Sequence, residues 1–456
     1  MKIIILGAGT VGTTLAISLS QEDNDITVVD NNQSALHHLE EEADIKTVHG
    51  SCSYPNTLVN SGIKEADMVV AVTGSDEINI VSCLISKVLS ENVKTIARIR
   101  ESSYLKDRTK KAIEEGVIPV DIVVSPEKLI TNHIQALIET PGSLQVLEFG
   151  DGLLNLVGVR AVTGGPLIGH EIGDLKKHMP NVDTRVAAIF RKGGAIIPKG
   201  TTTVEAGDEV FFIARRKDAR KVINEMRKKE DPYKYIVIAG GGKIGSALAE
   251  QIEDNHTVKL IEANSEKAKE ISERLIDTIV LEGNVSDKSL LHEENIEECD
   301  VFVAVTNDDE ANVMSCMLAK EMGAHKVIAL INNEAYVDLV QDKGIDVAIA
   351  PSQITIGTFL SELAGDEVVK VHSLRRGAAE AIETIVKEST NGKEDAIGKE
   401  LGNIRLPAGA TIGAIIRKNK AKIAHDDVKL REHDHVILFL TDKKLLPKVQ
   451  QIFSPS

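Results

Sequence analysis

The stretch that decides the fold is Lys2–Ser20, KIIILGAGTVGTTLAISLS. An aliphatic run precedes three glycines spaced as Gly-x-Gly-x-x-Gly, Gly7, Gly9 and Gly12, and apolar residues at helical spacing follow. The first glycine of such a motif supplies a sharp turn, the second lets the backbone approach a pyrophosphate, and the third lets helix and strand pack closely. The free N–H groups at the helix N-terminus attract phosphate. The stretch therefore predicts a strand, a glycine turn and a helix that together bind a nucleotide.

The chain carries this pattern twice. The segment Ala71–Lys87, AVTGSDEINIVSCLISK, returns as AVTNDDEANVMSCMLAK at Ala304–Lys320, a shift of 233 residues. The same shift carries the glycine motif onto Gly240, Gly242 and Gly245 (GGGKIG). Two glycine motifs in register with a long shared segment indicate a duplicated nucleotide-binding unit.

An acidic residue follows each glycine motif. Asp30 lies 23 residues after Gly7, and Glu262 lies 22 residues after Gly240. A carboxylate at this position accepts hydrogen bonds from ribose hydroxyls and repels a 2′-phosphate. The pattern favours NAD(H) or an adenine nucleotide over NADP(H).

Short apolar runs alternate with helical patterns in two long blocks, 1–124 and 231–351. Near-continuous apolar strands separated by helices predict a doubly wound parallel sheet in each block. The predicted strands are Lys2–Leu6, Ile26–Asp30, Met68–Thr73, Thr95–Arg98, Ile122–Val124, Tyr235–Ile238, Val258–Glu262, Val301–Thr306 and Val327–Leu330.

Two smaller blocks, 143–228 and 370–453, are rich in turns and are predicted to be α+β units. Ile189-Phe190-Arg191 matches Ile415-Ile416-Arg417 at a shift of 226, which also places Asp208 on Asp434. Helical linkers, 125–142 and 352–369, precede the small blocks. The predicted fold class is α/β, with two tandem copies of a Rossmann-like doubly wound domain, each followed by a small α+β domain. The basic run Arg215–Lys229 is expected to form the last helix of the first small domain and a solvated linker.

Candidate binding residues lie in the glycine loops, at the acidic positions and at the carboxyl ends of strands, where ligands bind in doubly wound sheets. In the first copy they are Gly7, Ala8, Gly9, Thr10, Val11, Gly12, Asp30, Ser51, Cys52, Thr73, Gly74 and Arg98. In the second copy they are Ala239, Gly240, Gly241, Gly242, Lys243, Ile244, Gly245, Glu262, Asn284, Thr306 and Asn307.

Arg98 ends the predicted fourth strand and is a candidate phosphate clamp, whereas Leu330 stands at the matching position of the second copy. The second site is therefore expected to bind nucleotide more weakly or differently. Asp76 and Glu77, with Asp308 and Asp309 in the second copy, either line the sites or cap the helices that follow.

Composition excludes several classes of protein. The formal net charge of −16 disfavours nonspecific nucleic-acid binding and docking on an anionic lipid surface. The four cysteines show no C-x-x-C and are expected to be buried thiols, as free cysteines commonly are. No run of about 18 apolar residues is present, and the apolar N-terminus is interpreted as a strand and helix because its near-copy lies mid-chain. The sequence contains no G-x-S-x-G, H-E-x-x-H or P-loop, and no histidine cluster at metal spacing, so neither catalytic nor metal residues are predicted.

This set of motifs resembles the regulator-of-K+-conductance (RCK) family, in which a nucleotide-binding N domain precedes a small C domain. The resemblance covers essentially the whole chain, and it is most specific in HMPNVDTRVAAIFR at His178–Arg191, VTNDDEAN at Val305–Asn312 and VHSLRRGAAEAIE at Val371–Glu383. One departure is that Ser51 and Asn284 stand where family members often carry Asp.

The resemblance implies a regulator of potassium uptake that senses NAD(H), with ATP or ADP as a second class of ligand. It further implies a tetrameric ring of eight RCK modules, docked on the cytoplasmic face of a Trk-type (TrkH- or TrkG-like) potassium-translocating membrane subunit. Two alternatives remain at this stage. One is an NAD-dependent oxidoreductase with a duplicated cofactor domain, and the other is a regulator of a different cation transporter.

Overall fold

The structure is a computed structural model that describes residues 1–21, 24–340, 343–363, 368–374, 378–388 and 396–453. It divides into two compact units: residues 1–129 with 352–363, and residues 130–351 with 364–456. No helix within the described ranges has both the length and the apolar character needed to cross a membrane.

The first unit is built on a six-stranded parallel sheet in the order β3-β2-β1-β4-β5-β6. This is the strand order of a doubly wound nucleotide-binding fold, and it confirms the predicted class. The strands are β1 (Lys2–Leu6), β2 (Asp25–Asp30), β3 (Lys46–His49), β4 (Met68–Ala71), β5 (Lys94–Arg98) and β6 (Ile122–Val124). The helices are α1 (Thr10–Ser20), α2 (Gln33–Glu42), α3 (Pro55–Asn60), α4 (Asp76–Leu89) and α5 (Asp107–Glu114).

The linker helices are α6 (Pro126–Glu139) and α14 (Pro351–Leu363). Both begin at proline, which is preorganised for the first turn of a helix. Phe359 and Leu363 of α14 are buried in the core of the first unit, together with Ile3, Ile5 and Leu15. The second linker thus completes the core of the first Rossmann-like domain, a pairing that apolar spacing alone could not specify. The predicted linker residues 364–367 lie outside the described ranges.

A second parallel sheet lies in the second unit, in the order β14-β13-β12-β15-β16-β17, and it repeats the topology of the first. Its strands are β12 (Tyr235–Ala239), β13 (Thr257–Glu262), β14 (Ile279–Glu282), β15 (Val301–Ala304), β16 (Lys326–Leu330) and β17 (Val347–Ile349). Its helices are α9 (Lys243–Ile252), α10 (Ser265–Arg274), α11 (Lys288–Glu293), α12 (Asp309–Met322) and α13 (Glu334–Val340).

The strands predicted to end at Thr73 and Thr306 end two residues earlier, at Ala71 and Ala304. The cause is local, because the backbone N–H of each threonine donates 2.9 Å to a buried asparagine, Asn79 or Asn312, outside the strand ladder. The threonines therefore belong to the loops that follow the strands.

The two small domains have five-stranded antiparallel sheets of matching topology, β10-β9-β11-β8-β7 and β21-β20-β22-β19-β18. The first consists of β7 (Ser143–Phe149), β8 (Leu154–Arg160), α7 (Leu175–His178), β9 (Thr184–Arg191), β10 (Gly194–Ile196), β11 (Glu209–Arg215) and α8 (Arg216–Met226). The second consists of β18 (Val368–Leu374), β19 (Ala379–Ile385), β20 (Ala410–Arg417), β21 (Lys420–Ile423), β22 (His435–Leu440) and α15 (Leu446–Phe453). Within the specific stretch Val371–Glu383, residues 375–377 lie outside the described ranges.

The repeated arginine and aspartate of the small domains form equivalent ion pairs. Arg191 donates to both carboxylate oxygens of Asp208 at 2.8 Å, and Arg417 does so to Asp434 at 2.7 Å. Both carboxylates are buried. A two-point pair of this kind fixes the geometry of the turn that precedes β11 or β22.

Both small domains also share one hydrophobic core, to which Phe149, Phe190 and Phe211 contribute from the first and Ile416 and Phe439 from the second. The basic run Arg215–Lys229 forms α8 as predicted, but Val222 and Ile223 bury one of its faces. All four cysteines are buried and free, which confirms that prediction.

Lys326, at the start of β16, is a buried cation in the second unit. Its Nζ donates to the carbonyls of Ser143, at 2.8 Å, and Leu137, at 3.3 Å. Burial is the main cause that lowers the pKa of Lys326 to about 8, although Asp346 and Glu230 oppose the shift. The side chain therefore ties the end of α6 to the second Rossmann-like sheet.

Candidate functional site

The first candidate site is a cleft of about 560 Å³ at the carboxyl edge of the first sheet. This volume falls in the range of small-molecule sites, about 300–1,000 Å³. The cleft is lined by Gly7, Gly9, Thr10, Val11, Asp30, Asn31, Ser51, Cys52, Val72, Thr73, Gly74, Ser75, Ile78 and Arg98. The structure thus brings together most of the residues that the sequence nominates for the first copy.

The glycine loop adopts the geometry that its spacing predicts. Gly7 has φ +112°, which favours glycine, and a Cβ on Gly12 would lie 1.9 Å from the carbonyl oxygen of Gly7. By contrast, no atom of the described ranges lies within 4 Å of a Cβ built on Gly9, which precedes α1 and faces the cleft. The backbone is therefore open at the helix N-terminus, where a phosphate would approach.

Asp30 has a structural role in addition to its predicted contact with ribose. Its carboxylate accepts from the N–H of Ala8 at 2.6 Å and from the N–H of Asn32 at 2.7 Å. Ala8 does not line the cleft but fastens the glycine loop to the end of β2. Each carboxylate oxygen has a second lone pair, so Asp30 can still accept from a ribose hydroxyl.

The loop after β4 is held by Asn79, a residue that sequence reasoning missed. The Asn79 side chain contacts the N–H and hydroxyl of Thr73 and donates 2.9 Å to the carbonyl of Arg98. Asn312 makes the same contacts to Thr306 and Leu330. The only signal in the sequence was that asparagine recurs at this position of the repeat.

Arg98 lines the cleft, but its guanidinium already has a protein partner. Nη2 donates 2.7 Å to the carbonyl of Thr73, whereas the buried Nε has no hydrogen-bond partner among the described residues. Burial, with the nearby charge of Arg100 second, lowers the pKa of Arg98. Arg98 therefore anchors the loop as well as facing the cleft.

The acidic residues after this loop act mainly at helix starts. Ser75 and Asp308 are the N-caps of α4 and α12. Asp76 accepts from the N–H groups of Arg100 and Glu101 at 2.9 and 2.7 Å. Of the two roles left open for these residues, the contacts are those of caps and loop anchors.

Cys52 borders the cleft as a buried thiol. Its burial, with the charge of Asp30 second, raises the pKa of Cys52 to about 12. The group therefore remains a neutral thiol near neutral pH.

The second glycine loop has the same backbone with altered side chains. Gly240 has φ +109°, a Cβ on Gly245 would lie 1.9 Å from the carbonyl oxygen of Gly240, and nothing lies within 4 Å of one on Gly242. Glu262 accepts from the N–H of Gly241 at 2.9 Å, as Asp30 does from Ala8.

The longer carboxylate of the second copy requires a smaller loop residue. A Cβ on Gly241 would lie 2.9 Å from the carboxylate of Glu262 and 2.5 Å from Ile271. The first copy therefore pairs Ala8 with Asp30, whereas the second copy pairs Gly241 with Glu262. The remaining predicted residues of the second copy lie around this loop. Ala239 ends β12, and Lys243 and Ile244 begin α9. Asn307 follows Thr306 in the loop after β15, and the side chain of Asn284 accepts 2.9 Å from the N–H of Ser286.

Comparison with known proteins agrees with this geometry. The sequence profile of the TrkA-N domain matches residues 3–126 and 236–351, and that of the TrkA-C domain matches residues 156–227. In fold, the chain is similar to the crystal structure of the GsuK RCK domain, with TM-score 0.61 and 20% identity over 100% of this chain and 95% of that one. A GsuK channel bound to NAD has TM-score 0.62 and 18% identity over 100% of this chain and 79% of that one. The fold and its two glycine-loop domains define an RCK-domain protein.

Curated relatives give the family more narrowly. The chain is 52% identical to the Trk system potassium uptake protein TrkA of Halomonas elongata, over 99% of this chain and 98% of that one. It is 49% identical to TrkA of Vibrio alginolyticus, over 100% and 99%, respectively. The chain belongs to the TrkA family of potassium uptake proteins.

Proposed function

We propose that this protein is a nucleotide-sensing regulatory subunit that gates potassium uptake through a Trk-type membrane subunit of the TrkH or TrkG kind. The observation that carries the proposal is the first cleft, in which an open glycine loop, a carboxylate and the Thr73 loop meet at the edge of a doubly wound sheet. The ligands proposed are NAD(H) and, as a second class, ATP or ADP. The residues proposed to bind them are those nominated from the sequence in both copies.

The cleft suits binding better than turnover. Its lining offers backbone N–H groups, hydroxyls, one carboxylate and one guanidinium, and its single thiol is held neutral. A dehydrogenase needs an acid or base beside the nicotinamide. The oxidoreductase alternative predicts that NADH absorbance falls when a small carbonyl compound is added, whereas a sensor binds NADH without consuming it.

Ring assembly is proposed from an exposed apolar stripe on α4. Ile78, Val81, Leu84 and Val88 recur at helical spacing and are each more than a third exposed. Met314 and Met317 of α12 continue the pattern in the second copy. Exposed apolar stripes of this kind mark protein contacts, here between chains of a homotetrameric ring. Ile78 also lines the first cleft, so ligand and ring contact share one helix.

The proposed mechanism is a shift between two ring conformations. A nucleotide moves such an equilibrium only by its difference in affinity for the two states. Each chain supplies two Rossmann-like domains joined to small domains by helices, and we place the segments at 1–124, 125–142, 143–228, 231–351, 352–369 and 370–453. The ring is placed on the cytoplasmic face of the membrane, where it pulls on or relaxes the pore.

The test is potassium flux in proteoliposomes that contain the membrane subunit and this chain. We expect flux to change on addition of NADH, NAD+, ATP or ADP, and the response to be lost in a Gly9→Ala, Gly242→Ala double variant. A matched control is Gly200→Ala, which changes a glycine outside both loops that, like Gly9 and Gly242, has no positive φ and room for a Cβ. Flux that ignores all four nucleotides would contradict the proposal. If the chain instead co-purifies with another cation transporter and alters its flux, that alternative is favoured.

A further inference from the structure

We propose that the first cleft prefers nucleotides that end in phosphate, such as ADP, whereas the second glycine-loop site prefers NAD+ with its cationic nicotinamide ring. This inference rests on the proposed nucleotide-binding function and assigns a different ligand class to each copy. It follows from the charges placed beside the loop after β4 and beside its counterpart after β15.

The two loops occupy the same place in the two folds. Ala71 pairs with Ala97 in the first sheet, and Ala304 pairs with Ala329 in the second. The next residues, Arg98 and Leu330, each accept 2.9 Å at their carbonyl from the buried asparagine described above. Differences between these positions are therefore differences of side chain on a common backbone.

In the first cleft, two guanidinium groups support the loop. Arg98 donates to the carbonyl of Thr73 at 2.7 Å, and Arg100 donates to the carbonyl of Gly74. Two carboxylates, Asp76 and Glu127, lie near enough to act on Arg98 electrostatically. The guanidinium that lines the cleft is that of Arg98, so the surface a ligand meets here is cationic.

At the second glycine-loop site, the same side of the loop has no guanidinium at the matching positions. Leu330 replaces Arg98, and it is only 4% exposed. Asn332 replaces Arg100 and donates 3.0 Å to Asp309. Asp308 replaces Ser75, which lines the first cleft. This side of the second site therefore lacks both guanidinium groups and gains one carboxylate, Asp308, because Asp309 matches Asp76 of the first copy.

The part of a bound nucleotide that lies beside this loop is the part beyond the adenosine. In a sheet of order 3-2-1-4-5-6, a dinucleotide lies across the point where strand order reverses, between β1 and β4. The acidic residue at the end of β2 takes the adenine ribose, and the other half reaches toward β4 and β5. A terminal phosphate there is attracted by Arg98, whereas a positively charged nicotinamide ring is favoured by Asp308, which stands where the first copy has Ser75.

Lys243 does not cancel this difference. It replaces Thr10 as the first residue of the helix after the glycine loop, on the side where ADP and NAD+ both place their pyrophosphate. Its charge therefore strengthens the binding of both ligands, and the ratio of their Kd values is set by the loop after β15.

The test compares the Kd of ADP and of NAD+ at each site in the full chain by isothermal titration calorimetry. Gly242→Ala isolates the first site and Gly9→Ala isolates the second. We expect the ratio of the two Kd values to differ between sites by about tenfold, because single charges within about 8 Å contribute at this level after screening. In the Gly242→Ala background, Arg98→Leu with Arg100→Asn should move the first site toward NAD+. In the Gly9→Ala background, Leu330→Arg with Asn332→Arg should move the second site toward ADP.

Arg98→Lys with Arg100→Lys is the conservative control, and it should keep the ADP preference because the charges remain. A purely structural role for the arginines would weaken both ligands equally and leave the ratio unchanged, which would overturn the inference. Equal ratios at the two wild-type sites would also overturn it. Absence of any nucleotide binding at either site would instead contradict the proposed function.

Discussion

Alanine at Gly9 tests the glycine loop of the first cleft without disturbing the domain that carries it. Gly9 has φ −76° and ψ −179°, a conformation that alanine adopts freely, and its Cβ would meet no atom within 4 Å. Two small terms act on folding. Alanine reduces the conformational entropy of the unfolded chain, which stabilises the folded variant by about 0.4–1 kcal/mol. The weaker N-cap opposes it by a similar amount, about 0.5–1 kcal/mol. We therefore expect the free energy of unfolding to stay within about 0.5 kcal/mol of wild type.

Nucleotide affinity should respond very differently. The added methyl group occupies the space through which a phosphate reaches the N-terminus of α1. Loss of the charge-assisted hydrogen bonds made there costs about 1.5–3 kcal/mol, which raises the Kd roughly 10- to 150-fold. The measurement is calorimetric titration with NADH in a Gly242→Ala background, which leaves one site, alongside thermal unfolding of the same samples.

Gly12→Ala is the comparison that shows the opposite behaviour. Its Cβ would lie 1.9 Å from the carbonyl oxygen of Gly7, so helix and strand must separate and stability must fall. Overpacking of this kind costs about 1–3 kcal/mol or more. A Gly9→Ala variant that binds NADH as tightly as the parent would refute the proposed position of the phosphate. A Gly9→Ala variant in which both NADH affinity and Tm fall would refute the claim that Gly9 is not needed for stability.

Three further predictions concern stability. Burial lowers the pKa of Lys326 to about 8, so above that pH the unfolded chain binds more protons at this residue, and the contribution of Lys326 to stability should rise by about 2 kcal/mol from about pH 7 to about pH 9.5. In urea unfolding, the stability of wild type relative to Lys326→Met should rise by this amount over the range, because the titration of the buried cysteines is common to both proteins. Asp434→Ala should cost about 3 kcal/mol because it leaves Arg417 without its buried partner, and a variant as stable as wild type in urea would contradict the role given to the pair. Gly241→Ala should lower the denaturation midpoint through its clash with Ile271, whereas the reverse change at the matching position, Ala8→Gly, should cost less than about 1 kcal/mol.

Much of the fold could be read from the sequence because local chemistry determines it. The apolar runs became buried parallel strands, and the glycine spacing produced the turn at Gly7 and the close packing at Gly12. The small domains were harder to predict: the recurrence of Arg191 and Asp208 at a shift of 226 marked the repeat, but the ion pair between them depends on the turn that brings them together.

Other features depend on tertiary partners that spacing does not specify. Apolar spacing predicted the helix α14, but it could not show that Phe359 enters the core of the first unit. Likewise, Arg98 was recognised as a cation at a strand end, but its bond to the Thr73 carbonyl depends on where the next loop turns. That turn is set by Asn79, a polar residue buried inside an otherwise apolar helical pattern.

The measurement that tests the central claim most directly is the number of NADH molecules bound per chain. Native mass spectrometry and calorimetric titration of the full chain give this number without reference to the membrane subunit. We expect two per chain in wild type, with unequal affinities, one in Gly9→Ala or Gly242→Ala, and none in the double variant. A wild-type chain that binds no nucleotide, or a double variant that still binds two, would contradict the assignment of the glycine-loop clefts as the sensing sites.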